Sequence, residues 1–512
     1  MTQSSKSFNL LIPSMPTLQP RQDKIKAIKK AHEYKTFLQE VVSRFPLMIY
    51  KNQNLLSIYP ETERACPVVT TREFEENRSS YTDHGLDYDF WINFFDNFKK
   101  LYDTTPLSAL LNRSGTENCD FAFWAYMSKN CYLSFSIITD CENVLYGFTV
   151  KEHCSDVLNS SQVRNYCQNV YMCLWIINST NVFYSRFIQN SSDIRFCSNM
   201  VGCHHCIMCD DMENESYCIK NKKYEKDEYL KKAKEVLDQK KMYADFYAQV
   251  KYEGKNYGST DVTGSFLLKS QDVENGYYSL EMKDAKNLLV VGWSKLNEHM
   301  YDVFEAGAHG NSDFYGTLDA GVKSDNLYNC DGIATCSNAY YCRFLENCNY
   351  CIGCIGLKNK EFCILNKEYP KEERFALADK IFAQMEQDGN LGQFFPASLN
   401  PFYFNDTVAY LVGDFSKEEV IKAGFLRRED EIKADIPAWA DVLTTKDLAG
   451  YQGFDEKWER TINPEILKKV VKDSKGNCYR IVKMEYDFLV KHGLPLPELH
   501  WLDRIKLWFK LK

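Results

Sequence analysis

Two groups of cysteines have the types and spacing to do chemistry. Cys203, Cys206 and Cys209 form a CxxCxxC run followed by Cys218, and Cys348, Cys351 and Cys354 form another followed by Cys363. Four thiolates around one tetrahedral ion, each at about 2.3 Å, make a structural zinc site, and CxxC is a good local spacing for it. Zinc is therefore the one cofactor these residues suggest, with the eight cysteines as candidate ligands. Two other chemistries compete. Buried free cysteine behaves as a small apolar residue, and Cys330, Cys336, Cys342, Cys348 and Cys354 recur every six residues, as filling a thin tube demands. Disulfides such as Cys167 with Cys173 would require an oxidising compartment. His204 and His205 stand beside Cys203, but Asn349 and Tyr350 replace them beside Cys348, which makes them surface residues rather than ligands.

Other catalytic signals are missing from the sequence. It has no P-loop, dinucleotide GxGxxG, HExxH, GxSxG elbow or EF-hand loop. Acids such as Asp319 and Asp331 have no partner that spacing alone identifies. No residue is assigned a catalytic or cofactor-binding role, and an enzyme of unknown class stays an alternative only.

The cysteines sit on a repeat. A polar anchor recurs at Asn118, Asn130, Asn143, Asp156, Asn169, Asn181 and Asp193, in steps of 12 or 13 residues, and a looser series runs Asp272, Asn287, Asp302, Asp313, Asn326 and Asn338. Two residues before each anchor the chain is small (Cys141, Cys154, Cys167, Ser179), and one after it apolar (Val144, Val157, Val170, Val182). Four after, it is small again; seven after, apolar again. A lining residue every third position is neither the 3.6 of a helix nor the 2 of a flat strand. A coil of this length has a contour of about 40 Å and an interior about one side chain wide. Asn and Asp at the anchor tolerate left-handed backbone and hydrogen-bond their own turn. The fold class expected is mainly β: two tandem narrow β-solenoids of about 12–13 residues per coil with capping helices, plus α or irregular N- and C-terminal regions.

The two series end alike, Cys203 to Tyr224 against Cys348 to Tyr369, at a constant offset of 145 residues, which reads as an internal duplication. Each end is followed by a charged helical pattern. Tyr229, Ala233, Val236, Tyr243 and Tyr247 share one face; Phe375, Ala378, Phe382 and Met385 share another. An open coil edge templates aggregation unless covered, so these helices are expected as caps. The boundaries are then 1–110, an N-terminal region; 111–224, the first solenoid; 225–255, a capping helix; 256–369, the second solenoid; 370–390, a capping helix; and 391–512, a C-terminal region.

At this point a resemblance becomes specific. The CxxCxxC endings with LKNKEFCILNKEY, GLDYDFWINFFDNF at 85–98, GQFFPASLNPF at 392–402 and YRIVKMEYDFLVKHGLPLP at 479–497 together resemble an uncharacterised family of cysteine-repeat proteins from small-genome, candidate-phylum bacteria, over roughly residues 45 to 510. The resemblance implies no established activity. Many members of that family resemble zinc-ribbon proteins at their ends. This chain departs from the pattern, with only Cys66 near the start, only Cys478 near the end, and His500-Trp501-Leu502-Asp503-Arg504 where a cysteine pair is expected.

Composition bounds the partners. A net charge of -8 argues against a whole-surface grip on nucleic acid or an anionic membrane. From Ile466 onward, however, 11 Lys and Arg face 5 Asp and Glu, a local basic segment expected as a solvated terminal helix and the only route to an acidic surface. No run approaches the ~20 apolar residues of a membrane span, and no export signal opens the chain. The expectation is a cytoplasmic, non-enzymatic scaffold. Its partner would be a protein or a second copy, met through a stripe of aromatic residues that includes Tyr132, Tyr146, Tyr171, Phe183, Tyr184, Tyr315, Tyr328 and Tyr340.

Overall fold

The computed structural model describes residues 34–52, 55–112, 115–236, 324–429, 436–456 and 459–509, with short strands and single residues between 286 and 320. The protein is mainly β and contains a β-solenoid. It divides into two compact units, 1–109 with 254–427 and 110–253 with 428–512.

In the second of these units, four-residue strands alternate with bends of two or three residues from Glu142 to Ile219. Each strand pairs in parallel and in register with the strand two places on, as Gln168–Tyr171 does with Ser155–Leu158 and Thr180–Phe183, and Leu174–Ile177 does with Ser161–Arg164 and Arg186–Gln189. Two parallel sheets therefore face each other, joined by bends at both edges.

The period of three has a backbone cause. Every third residue takes a left-handed conformation, as at Asn169 (φ 55°), Met172 (54°), Trp175 (57°) and Asn178 (45°). Each such residue turns the chain, and the residue after it points inward: Val170, Cys173 and Ile176 are fully buried and Ser179 nearly so. L-residues avoid this region, and Asn and Asp avoid it least. The seven anchors from Asn118 to Asp193 all adopt it, with φ between 52° and 56°. Their side chains form a ladder between coils. Asn118 Nδ2 donates to Asn130 Oδ1 at 3.0 Å, Asn143 Nδ2 to Asp156 Oδ1 at 3.0 Å, and Asn181 Nδ2 to Asp193 Oδ1 at 2.9 Å.

The alternation of 12- and 13-residue steps is also explained. Between Asn130 and Asn169, where the steps are 13, one corner holds two consecutive left-handed residues, Thr139-Asp140, Glu152-His153 and Asn165-Tyr166. Beyond Asn169, where the steps are 12, the same corner holds one, Asn178 or Asn190. The added residue builds its own short column: His153 Nδ1 lies 3.5 Å from Asp140 Oδ2, and its ring stacks on Tyr166 at 4.8 Å.

The C-terminal part of this unit packs on the coils. Phe488, on the Lys483–His492 helix, meets Tyr171 at 5.9 Å and Phe183 at 6.3 Å between ring centroids, and Trp501 stacks on Tyr146. The basic tail is thus not a solvated helix. Its apolar face is committed to the solenoid, Arg504 pairs with buried Glu485, and exposed Lys491 reaches Asp156 at 3.6 Å and Asn169 at 3.3 Å.

In the other unit, Asp325–Tyr328, Ser337–Tyr340, Asn349–Ile352 and Cys363–Ile364 stack in parallel, with Tyr328, Tyr340, Ile352 and Ile364 in one column. Asn338 has φ 51°. The earlier expected anchors Asp272, Asn287, Asp302 and Asp313 lie outside the described residues, and Asn326 lies in the Asp325–Tyr328 strand. The N-terminal segment packs on these coils. Phe94 and Phe95 meet Tyr341, and the buried Arg78 guanidinium donates to the carbonyls of Phe344 (2.7 Å), Gly356 (2.9 Å) and Leu357 (3.2 Å). Gly356, at φ +72°, has no room for more: a Cβ there would lie 2.6 Å from the Tyr81 ring.

The helices expected as caps sit elsewhere. Phe382 of the Lys371–Gln387 helix meets Tyr340 while Phe375 meets Tyr350 and Phe362, so the helix lies across three successive coils, on their flank. Tyr229 of the Lys226–Val236 helix likewise meets Tyr217 and His205 on two coils. Tyr243 and Tyr247 lie outside the described residues. The hydrogen-bonding edges of the last strands are met by two-residue returns, Lys222–Lys223 antiparallel to Cys218-Ile219 and Lys367–Glu368 antiparallel to Cys363–Ile364. A return of two residues offers too little edge for another chain to pair with.

Candidate functional site

All eight candidate ligands, Cys203, Cys206, Cys209, Cys218, Cys348, Cys351, Cys354 and Cys363, are buried, and all twenty thiols are free. Cys206 and Cys218 are register partners in adjacent coils. The Cys351 thiol meets those of Cys348, Cys354 and Cys363. Tetrahedral ligation needs four sulfurs arranged around an ion. Among the described residues, no group of three or more His, Cys, Asp or Glu side chains is arranged to hold a metal ion. The geometry gives the zinc assignment no support.

The cysteines and serines at the bends have a role that follows from the backbone. At several bends a backbone N–H points into the tube and is received by the side chain one coil below. Ser160 Oγ accepts from the Cys173 amide at 3.1 Å, Cys173 Sγ from Ser185 at 3.4 Å, and Ser185 Oγ from Cys197 at 3.0 Å; Cys197 Sγ then accepts from Cys209 at 3.3 Å. The same groups donate to the carbonyl two residues back, as Ser185 Oγ does to Phe183 O at 2.8 Å and Cys197 Sγ to Arg195 O at 3.2 Å. The second stack repeats the pattern, with Cys336 Sγ accepting from Cys348 at 3.3 Å and Cys342 Sγ from Cys354 at 3.4 Å. A buried amide without a partner costs about 1–3 kcal/mol. Ser and Cys interchange at these columns because both are small and both can accept and donate.

Hydrogen bonds from neighbouring thiols hold Cys209 and Cys348 down to about 4, whereas burial shields all of these thiols from solvent and by itself disfavours the thiolate. Burial pushes Cys173 and Cys330 up to about 12. Nineteen cysteines are buried and Cys478 alone is half-exposed. Titration of the native protein with Ellman's reagent is therefore expected to show one fast thiol per chain, removed by Cys478→Ser, and all twenty after unfolding in guanidinium. Several thiols reacting at the Cys478 rate would contradict their burial in the tube.

The other residues singled out in the sequence fall into place differently. His204 is exposed and its Nδ1 shares a hydrogen bond of 2.9 Å with Ser192 Oγ. His205 stands at the anchor position after Asp193, 3.4 Å from its carboxylate, and stacks on Tyr217 at 5.0 Å. The aromatic stripe is not a free surface: Tyr146, Tyr171, Phe183, Tyr184, Tyr328 and Tyr340 are all buried, the first three beneath the C-terminal segment and Tyr340 beneath the Lys371–Gln387 helix. Tyr132 is half-buried, and the side chains of Tyr315 and Asp319 lie outside the described residues.

Two features were not found in the sequence. Asp331 and Arg343 form an ion pair at 2.8 Å with both side chains 2 % exposed, and the guanidinium lies over the Tyr102 ring. Their spacing of twelve residues is one coil, and they are bridge partners in adjacent coils. The second feature is a cleft of about 580 Å³ between the coils and the C-terminal segment, lined by Tyr132, Tyr146, Cys478, Arg480, His500 and Trp501 among others. No family profile, curated protein or solved structure matches the chain. Among the described residues, no helix is long and apolar enough to cross a membrane.

Proposed function

We propose that the protein is a non-enzymatic scaffold, a pair of tandem β-solenoids that offers a regular polar flank to a protein partner. The observation that carries this reading is where the side chains of the repeat are spent. The Ser and Cys columns satisfy backbone amides, the aromatic columns lie under the chain's own helices, and the Val and Ile columns fill the tube. The flank left to solvent is polar, with Glu142, Gln168 and His204 exposed and Asn169, Thr180 and Asn181 half-exposed. Its rows are spaced by the ~4.8 Å of neighbouring strands, a spacing suited to hydrogen-bonding a regular protein surface. The partner is thus met through this ladder and not through the aromatic stripe.

Two further parts of the reading rest on the same pattern. The shared ending, CxxCxxC followed by a two-residue antiparallel return, supports a duplicated solenoid and membership of the cysteine-repeat family that the motifs resemble. Twenty unpaired thiols favour a reducing compartment such as the cytoplasm.

The test is a photo-crosslinking residue placed at Gln168 in cells of the source. A single adduct of discrete mass is expected, absent when the probe stands at Glu459 and lost when Thr180→Arg is added on the same flank. No adduct, or one indifferent to Thr180→Arg, would overturn the reading.

A further inference from the structure

The cleft beside Trp501 differs in kind from the rest of the surface. Its walls are aromatic: Trp501 stacks on Tyr146 with ring centroids 5.3 Å apart and planes 8° apart, and Tyr132 lies beyond Tyr146 at 6.4 Å. Tyr146 is 3 % exposed, and among the described residues its hydroxyl has no hydrogen-bond partner. Among the described residues no carboxylate lines the cleft, in a chain whose net charge is -8.

What does line it is a set of donors. Arg480 is exposed and gives one hydrogen bond, from Nη2 to Leu467 O at 2.9 Å; among the described residues no acid pairs with it. Lys483 contributes a second cation, shared with Asp487 at 2.6 Å. His500 accepts the Leu502 amide at Nδ1, 3.3 Å away, and burial together with Arg504 holds its pKa down to about 4. The neutral ring must then carry its proton on Nε2, as a further donor. Aromatic rings beside Arg480, a cation without a counter-charge among the described residues, are complementary to a flat ring that carries negative charge. The volume lies within the range of small-molecule sites, about 300–1,000 Å³.

We propose that this cleft binds a small planar anion, a ring bearing a phosphate or carboxylate, with the ring against the Tyr146 and Trp501 wall and the anionic group on Arg480 and the His500 Nε2–H. This goes beyond the scaffold reading and involves none of the flank residues through which that reading meets its partner.

Cys478 supplies the readout, because it lines the same cleft and is the one cysteine that is not buried. Its alkylation by iodoacetamide, followed by mass spectrometry on the full chain, is measured with adenosine monophosphate, flavin mononucleotide and indole-3-acetate, and with adenosine and inorganic phosphate as half-ligands. At least one ring anion is expected to slow alkylation fivefold or more at saturation, a threshold of about 80 % occupancy that needs free ligand at about four times Kd. Each half-ligand is expected to need at least about tenfold more for the same effect, one decade being about 1.4 kcal/mol. Arg480→Glu, at an exposed position, is expected to abolish protection while leaving the melting temperature unchanged. Protection by none of the three ring anions, equal protection by inorganic phosphate, or protection that survives Arg480→Glu would each overturn the proposal.

Discussion

Val170→Asp is expected to abolish the cooperative melting transition and the β signal in far-UV circular dichroism. Val170 is fully buried and pairs with Val157 and Val182 in the coils on either side, in a tube whose interior is Val, Ile, Met, Cys and Ser. A carboxylate there meets no cation and has no room for water. Burying even a neutral polar group without a partner costs several kcal/mol, and a charge costs more. That is comparable to the ~5–15 kcal/mol stability of a whole domain. The control is two residues away. Gln168→Asp places the same group on the exposed side of the same strand, where the change is expected to stay within about 0.5 kcal/mol. Equal melting of the two variants would refute the inward assignment of the column.

Asp331→Ala is expected to destabilise the unit built from 1–109 and 254–427 by about 3–5 kcal/mol, because it leaves the Arg343 guanidinium buried without its counter-charge. The asymmetry of buried ion pairs makes a sharper test possible. Removing both charges, as Asp331→Leu with Arg343→Met, is expected to recover most of that loss, since desolvating two ions offsets much of their attraction. Urea melts of the single and double variants measure both. A double variant no more stable than Asp331→Ala would mean that Arg343 acts through its stacking on Tyr102 and Phe344 rather than through its charge.

The coil itself was legible in the sequence because its constraint is local. A left-handed residue every third position leaves a mark on composition, Asn or Asp at one corner and Cys or Ser at the bends, that survives in the chain without reference to anything distant. The role of the cysteines was not legible in the same way, because CxxCxxC is both a ligand spacing and two steps of the tube's own period. What bears on the choice is the register, which places Cys209 Sγ under the Asn221 amide and Cys354 Sγ under the Asn366 amide. Helix positions were harder still. Phe375 and Phe382 mark an apolar face, but nothing in their spacing says whether that face meets the end of a stack or its side. Trp501 and Phe488 were hidden for the same reason, in a segment whose charge drew attention away from its few apolar residues. The Asp331–Arg343 pair was readable in principle. In a fold with a fixed coil length, opposite charges twelve residues apart are neighbours, and a search for such pairs is the signal that would have found it.

The corner that holds one left-handed residue or two sets how such a chain can change length over evolutionary time. A residue gained or lost there is absorbed in the bend, as at Asp140, His153 and Tyr166, and the next coil resumes in phase. Anywhere else, a single insertion would shift every later side chain by one place and turn the lining of the tube outward. Viable length variation among descendants should therefore concentrate at this one corner, or come as whole coils, and its distribution would map the solenoid in any relative without a structure.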